Sequence, residues 1–162
     1  NGAGKTTLLK MLAGQIAPTR GTVTRPVSAA MLDQDMALLH PDETVLDAWM
    51  RLNPGASRNE AQASLARFLF RNVTAQKPIG VLSGGERLRA ALACVIGVQP
   101  PQLLILDEPT NHLDLDSIRA VEAALTGYDG ALVVVSHDAD FLEAVGITRT
   151  LDLGQPQPTT SP

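Results

Sequence analysis

Short continuous apolar runs alternate with amphipathic segments along this chain of 162 residues. The clearest runs are residues 29–32, 103–106 and 131–135, and a polar residue follows each of them directly. Continuous apolar runs of this length are typical of strands that are buried on both faces of a sheet. Because helical segments lie between them, the pattern predicts an α/β fold with a mostly parallel sheet flanked by helices.

Six other segments combine helical spacing of apolar residues with capping or turn residues at their ends. We interpret the aromatic residues of two of these segments, Trp49, Phe68 and Phe70, as core residues. Two more short strands are predicted at residues 21–24 and 148–153, and the Pro-rich residues 155–162 are expected to form a disordered tail. The predicted helices are residues 7–13, 44–51, 59–71, 84–97, 116–125 and 138–145.

The composition narrows the class of protein. Hydrophobic residues make up 44% of the chain and charged residues 19%, which is typical of one globular domain. The net charge of −4, without a block of Lys or Arg, does not favour a protein that holds nucleic acid by charge alone. The single cysteine, Cys94, excludes an internal disulfide framework and fits a cytoplasmic protein. No apolar run reaches the roughly 18 residues of a membrane-spanning helix.

The chain opens on NGAGKTT, which matches the second half of a phosphate-binding loop, G-x-x-x-x-G-K-[ST]. Its glycines leave room for backbone N–H groups around phosphate oxygens, and the following helix adds its positive end. Lys5 would reach the β- and γ-phosphates, and the Thr6 hydroxyl would hold Mg²⁺. The alternative is a Gly-rich helix start with an accidental lysine. The candidate nucleotide-binding residues are Asn1, Gly2, Ala3, Gly4, Lys5, Thr6 and Thr7.

Two acids follow the apolar run at residues 103–106 directly. Ligands of open α/β sheets bind outside the carboxyl ends of the strands, so we expect Asp107 to face the Mg²⁺ held by Thr6. Glu108 would orient the attacking water as a base. The run at residues 131–135 brings His137 to the same edge, where a neutral imidazole can hydrogen-bond the γ-phosphate or the water. The alternative for the acids is a solvated junction between strand and loop.

The sequence LSGGE at residues 82–86 begins a predicted helix. Ser83 and Glu86 match a capping box. That interpretation does not explain Gly84 and Gly85, because glycine destabilises a helix relative to alanine. Glycines allow close approach to the backbone, and with the helix dipole they form an anion site. Since one nucleotide already has a phosphate loop, we expect this second anion site to serve a nucleotide bound elsewhere.

Together these motifs resemble the ATP-binding cassette (ABC) superfamily of P-loop NTPases, from residue 1 to about residue 153. The resemblance identifies LSGGE at residues 82–86 as the signature motif, and it adds Gln34 as the Q-loop residue and Asp114 as the D-loop residue. It implies ATP and Mg²⁺ as cofactors and an ATPase in which Glu108, His137 and Gln34 are catalytic. It also implies that Thr6, Gln34 and Asp107 hold the metal and that a second cassette completes the site. The nucleotide-binding residues that it implies beyond the loop are Ser83, Gly84, Gly85, Glu86 and Asp114.

Within the superfamily, DEPTNHLD at residues 107–114 resembles the ABC-F group; transporter cassettes more often carry Ser-Ala or Ser-Gly where Asn111-His112 stands. The group implies two cassettes in one cytoplasmic chain without a membrane segment. They pair head to tail around two ATP molecules and act on the ribosome and tRNA through other parts of the protein. The end of the chain resembles the second, C-terminal cassette.

The expected organisation is a partial nucleotide-binding domain at residues 1–154, with a helical subdomain at about residues 36–95. We expect an N-terminally truncated fragment, without the upstream strands and the aromatic residue that stacks on adenine in the superfamily.

Three alternatives remain beside this interpretation. The nucleotide-binding subunit of an ABC transporter shares every ATP-site residue and is the main one. A DNA-repair or chromosome-type ATPase inserts a long coiled coil before the signature. Fewer than 50 residues separate Gln34 from Ser83, which is too short for such an insertion. A cassette that binds ATP only to hold a shape is disfavoured by the intact Glu108 and His137.

Overall fold

A computed structural model describes residues 4–24, 28–33, 35–111 and 113–153. Within these residues, three parallel strands form one sheet in the order β1-β2-β3. The strands are β1 (Ala29–Leu32), β2 (Leu103–Asp107) and β3 (Ala131–Val135), the three apolar runs of the sequence. Helices connect them, because parallel neighbours need a crossover between their ends. The predicted α/β fold, a parallel sheet flanked by helices, is confirmed.

Six α-helices and two 3₁₀-helices complete the described part of the chain. The first helix begins directly after Gly4 and ends before Gly14, and both glycines have a left-handed backbone, with φ of 74° and 80°. The α-helices are α1 (Lys5–Ala13), α2 (Val45–Leu52), α3 (Arg58–Arg67), α4 (Gly84–Val95), α5 (Leu115–Thr126) and α6 (Ala139–Ala144), and the 3₁₀-helices are Asn72–Gln76 and Ile79–Val81.

The sheet is covered on both faces, because side chains of β2 alternate between two cores. Leu103 and Ile105 pack with Leu9 of α1 on one face. Leu104 and Leu106 belong to the larger core on the other face, to which α4 and α5 contribute. A central strand buried in this way keeps its carboxyl end at a fixed position between the two helical layers.

Helices α2, α3 and α4 pack around Trp49, which is fully buried. Its indole N–H donates to Ser64 Oγ at 3.1 Å and to the Ala93 carbonyl at 3.0 Å, so it links α2 to both neighbours. A buried N–H without a partner costs free energy, and these bonds therefore favour one arrangement of the helices. Trp49, Phe68 and Phe70 are all buried, which confirms their interpretation as core residues.

Helix α3 ends at Arg67, earlier than the predicted residue 71. Leu69 has a left-handed backbone with φ of 67° and is 53% exposed. Phe68 and Phe70 on either side of it are buried. Residues two apart on a helix point about 200° apart, so a continued helix would keep one of the two rings out of the core. Burial of both rings therefore outweighs the helical spacing of the sequence.

The short strands predicted at residues 21–24 and 148–153 are wrong, since neither segment joins the sheet. A strand needs a neighbour for its backbone hydrogen bonds, and sequence alone does not supply one. Helix α4 ends at Val95 rather than at residue 97. The predicted tail at residues 155–162 lies outside the described residues. Among the helices of the described part, none has the length and apolar character needed to cross a membrane.

Candidate functional site

The carboxyl ends of β2 and β3 bring the predicted acids and histidine to one edge of the sheet. Asp107 ends β2 and pairs in register with Val135, the last residue of β3. The Glu108 N–H donates to the Val135 carbonyl at 2.8 Å, so the pairing continues one residue further. His137 follows β3, and its Nε2 lies 3.3 Å from Glu108 Oε1. The parallel topology thus places a carboxylate pair and an imidazole side by side.

Glu108 has a strained backbone. Its φ of 51° lies in the left-handed region, which costs a residue with a side chain about 1–2 kcal/mol. The Glu108 side chain is 16% exposed and that of His137 is 81% exposed, so the pair lies at the boundary between protein and solvent. Strain of this kind is common where the position of a side chain serves a function. The observation favours a functional role for Glu108 over that of an ordinary loop acid.

The start of α1 lies at the same edge of the sheet. Gly4 is its N-cap and offers no side-chain acceptor to the first N–H groups of the helix, which an anion can satisfy. Lys5 is the first helical residue and is half-buried. The Thr6 hydroxyl donates to Asp107 Oδ2 at 3.4 Å, although 101 positions separate the two residues in the sequence. The fold therefore brings the phosphate-loop residues and the strand-end acid together.

The Thr6 hydroxyl and the Asp107 carboxylate fit a magnesium site. Mg²⁺ prefers oxygen ligands at about 2.0–2.1 Å in an octahedron, so adjacent ligands lie about 3 Å apart. The separation of the two oxygens, 3.4 Å, is close to that value. Among the described residues, no group of three His, Cys, Asp or Glu side chains could hold a metal. A magnesium ion here would complete its coordination with the predicted ligand Gln34, water and phosphate oxygens, as is usual beside a nucleotide.

A cleft of about 220 Å³ lies beside these groups. Asp107 and Glu108 line it from the sheet, Gly84 and Leu88 line it from α4, and Asp33 lines it after the end of β1. The cleft therefore joins the strand-end acids to the start of the signature helix within one chain.

Four predicted site residues lie outside the described residues: Asn1, Gly2, Ala3 and Gln34. Their roles stay predictions. Asp33, which precedes Gln34, lies at the cleft wall.

The LSGGE segment forms the predicted capping box at the start of α4. The Glu86 N–H donates to Ser83 Oγ at 3.2 Å, and the Ser83 N–H donates to Glu86 Oε2 at 3.0 Å. Lys77 Nζ donates to Glu86 Oε1 at 3.1 Å. The bond from the Ser83 backbone, followed by the interaction with Lys77, holds the pKa of Glu86 below its usual value against the opposing effect of burial. Both carboxylate oxygens of Glu86 are thus engaged within the chain.

The two glycines of this segment have different surroundings. A Cβ on Gly84 would meet nothing within 4 Å, so its backbone is open to approach. A Cβ on Gly85 would lie 2.6 Å from Ser117 Cβ and closer still to Ser117 Oγ. Gly85 is buried, and α5 of the same chain makes the close approach that it permits. This finding corrects the interpretation that both glycines leave room for a ligand.

Gly85→Ala is expected to lower the free energy of unfolding by about 1–3 kcal/mol, because the added methyl group would overpack the contact between α4 and α5. Gly84→Ala makes the same chemical change one residue earlier in open space, and we expect it to preserve stability. Denaturant unfolding of the two variants measures the difference. Equal stabilities would contradict the close packing at Gly85.

Asp114 is the N-cap of α5. Its carboxylate accepts hydrogen bonds from the Ser117 N–H at 2.8 Å and from the Ser117 hydroxyl at 2.9 Å. These bonds, the backbone one first, lower the pKa of Asp114. A carboxylate at this position also interacts favourably with the helix dipole. The capping role explains an acid here without a nucleotide, and the predicted nucleotide contact of Asp114 stays a prediction.

Two residues that shape the site were not predicted from the sequence, Ser117 and Lys77. Ser117 stands three residues after an N-cap aspartate, a spacing that signals a local cap but not the contact with Gly85. Lys77 pairs with Glu86 across nine positions and an intervening 3₁₀-helix. No periodic pattern identifies such a pair.

Comparison with known proteins gives a family. A family model described as "ABC transporter" matches residues 1–111. The putative ATP-binding protein YdiF of Bacillus subtilis is 44% identical over 155 residues, which are 94% of this chain and 24% of that protein. The tylosin resistance ATP-binding protein TlrC of Streptomyces fradiae is 43% identical over 138 residues, 85% of this chain and 25% of that protein. This chain therefore spans about a quarter of the length of these relatives.

Solved structures show the same fold. The dimeric structure of MJ0796, a bacterial ABC transporter cassette, matches with a TM-score of 0.73 and 24% identity over 89% of this chain and 74% of that one. A structure of the complex of archaeal ribosomal stalk protein aP1 and ribosome recycling factor aABCE1 matches with a TM-score of 0.69 and 26% identity, over 90% of this chain and 29% of that one.

The relatives are ATP-binding proteins of the ABC-F type, the group that residues 107–114 resemble. The family model covers more than half of the chain and includes the phosphate loop, the LSGGE segment and the strand-end acids. These motifs, the fold and the match agree, and the chain belongs to the ABC transporter family as an ATP-binding cassette.

Proposed function

We propose that this cassette binds and hydrolyses Mg-ATP as one half of a head-to-tail pair of cassettes, within a cytoplasmic ABC-F protein that acts on the ribosome. The main support is the meeting of Thr6 with Asp107 at 3.4 Å at the sheet edge where Glu108 and His137 also lie 3.3 Å apart. A phosphate-loop hydroxyl, a metal-binding acid, a base and an imidazole thereby converge. Residues 1–154 form the partial nucleotide-binding domain, with a helical subdomain at about residues 36–95.

Each group of this edge has a chemical task. The start of α1 and Lys5 bind the phosphates, and Thr6, Asp107 and Gln34 hold the metal. Bound Mg²⁺ supplies charge neutralisation at the β- and γ-phosphates. Glu108 accepts a proton from the attacking water, and His137 hydrogen-bonds the γ-phosphate or that water.

The signature supports the pairing. Ser83 and Gly84 are exposed, and the open backbone of Gly84 stands at the positive end of α4. A second cassette could present its ATP there. Gly84 also lines the cleft that holds Glu108 of the same chain, so a role at its own nucleotide is the rival. In the first arrangement the signature affects the ATP on the partner cassette's phosphate loop, and in the second it affects the ATP on its own phosphate loop.

Ser83→Ala in the full-length protein is expected to slow hydrolysis at the other cassette's phosphate loop and to leave ATP binding at its own loop unchanged. The reason is that the serine-glycine helix start contacts the nucleotide of the partner cassette. Inactivating the loop lysine of one cassette at a time, and measuring nucleotide binding and phosphate release, assigns each effect to one site.

Ser57→Ala is the matched control, because Ser57 caps α3 with the same kind of capping box and is also exposed. Both substitutions should cost about 1 kcal/mol of stability. Only Ser83→Ala should affect hydrolysis. Loss of binding at the chain's own loop alone would reject the cross-interface arrangement.

The action on the ribosome rests on the ABC-F resemblance. One related structure is named as a complex of a ribosomal stalk protein with a ribosome recycling factor, and TlrC is named for tylosin resistance. The alternative is a transporter subunit, which the description of the family model favours. Sedimentation of the full-length protein with purified ribosomes in the presence of ATP tests the proposal. Recovery with the membrane fraction, without ribosome binding, would support the transporter.

A further inference from the structure

One buried serine connects two motifs that the sequence separates by about 30 residues. Ser117 lies in the first turn of α5 and is 3% exposed. Its side chain fills the space that the missing Cβ of Gly85 leaves at the start of α4. Leu113 also borders this space, at 3.4 Å from the position of a Cβ on Gly85. The start of α4 and the segment around Asp114 therefore touch at Gly85, where the small Ser117 side chain makes the closest approach.

The same serine holds the D-loop acid. The Ser117 hydroxyl donates to Asp114 Oδ2 at 2.9 Å, and its N–H donates to Asp114 Oδ1 at 2.8 Å. Ser117 thus packs against Gly85 and orients an exposed carboxylate three residues before it. A buried hydroxyl with a single charged acceptor has a fixed direction, because rotating it away would leave it unpaired.

We propose that Ser117 is a positioning residue for ATP hydrolysis: it fixes the Asp114 carboxylate relative to the start of α4, so that the D-loop and the signature meet the second cassette as one rigid surface. The inference rests on the proposed head-to-tail pair. Asp114 is exposed, and among the side chains of the described residues that of Ser117 bonds its carboxylate, beside the Ser117 backbone N–H.

A buried serine elsewhere in the chain provides a matched control. Ser64 is 4% exposed, and its Oγ accepts from the indole of Trp49 in the helical core. Ser64→Ala and Ser117→Ala remove the same atoms from equally buried positions. Only the second removes a contact to a predicted site residue.

The test compares these two variants in the full-length protein, with kcat, the KM for ATP and the unfolding temperature as readouts. Ser117→Ala is expected to lower kcat roughly three- to tenfold, with the KM for ATP preserved. The loss stays below the value of a whole charge-assisted hydrogen bond because the Ser117 N–H still donates to Asp114. Ser64→Ala should lower the unfolding temperature and leave kcat unchanged. A kcat for Ser117→Ala equal to that of Ser64→Ala would overturn the proposal.

A double-mutant cycle that combines Ser117→Ala with Gly85→Ala gives a second test. Both changes act on the same contact, so the double variant should lose no more kcat than the more damaged single variant. If the loss of kcat in the double variant equals the product of the two single losses, the two residues act independently. That result would overturn the proposed coupling between Ser117 and Gly85.

The proposed function can fail separately. If Glu108→Gln hydrolyses ATP normally, the assignment of the site is wrong, whatever Ser117 does. If Glu108→Gln is inactive and Ser117→Ala behaves like Ser64→Ala, only the positioning role is lost.

Discussion

Glu108→Gln is expected to slow ATP hydrolysis by about a hundredfold or more, the contribution of a positioned general base, while ATP binding is preserved. Glutamine keeps the size of the side chain and one carbonyl oxygen, but it does not accept a proton from water. The left-handed backbone of residue 108 and its hydrogen bond to Val135 do not involve the carboxylate, so the fold should be retained. Because ATP stays uncleaved, the paired form should persist. Phosphate release, nucleotide titration and the size of the complex measure the three effects.

Glu143→Gln is the control for this variant. Glu143 lies on α6 and is exposed. Its replacement by glutamine removes one negative charge, as Glu108→Gln does. Its turnover should equal that of the unmodified protein. Normal turnover in Glu108→Gln would contradict the role of Glu108 as the base, and an equal loss in both variants would indicate an effect of net charge.

Lys5→Ala is expected to weaken ATP binding by roughly ten- to a hundredfold, the value of a hydrogen bond to a charged group. The ammonium group stands at the start of α1, where it adds to the positive end of the helix. Removing it would leave the phosphates with the backbone N–H groups and the magnesium ion, without a direct side-chain cation. Calorimetric titration with Mg-ATP measures the change in affinity.

Lys10→Ala tests whether position or charge alone is responsible. Lys10 is an exposed residue in the last turn of the same helix. The substitution removes one positive charge at the opposite helix end, and affinity for ATP should be preserved. An affinity loss equal to that of Lys5→Ala would mean that the effect is a general electrostatic one.

The variants Lys5→Ala and Glu108→Gln together separate the proposed binding role from the proposed chemical role. Lys5→Ala should lower affinity first, and saturating ATP should restore part of its turnover. Glu108→Gln should lower turnover at every ATP concentration. This division follows from the positions of the two groups, since Lys5 begins α1, the proposed phosphate-binding helix, and Glu108 follows the central strand.

Much of the candidate site was predictable, because its parts are local. The acids follow an apolar run directly, and parallel strands align their carboxyl ends, so the common edge of Glu108 and His137 follows from the sequence. The capping box of Ser83 and Glu86 depends on a spacing of three residues and was predicted correctly. The metal, base and nucleotide roles of these residues remain predictions.

The sequence by itself determined the α/β alternation, the carboxyl ends of the three sheet strands and the capping box of Ser83, since periodicity and caps act over a few residues. Only the tertiary structure decided that α3 ends at Arg67 and that Ser117 fills the space beside Gly85. Each of these depends on how distant helices and strands pack together. Such packing is set by the combined burial of many side chains, and no local pattern records it.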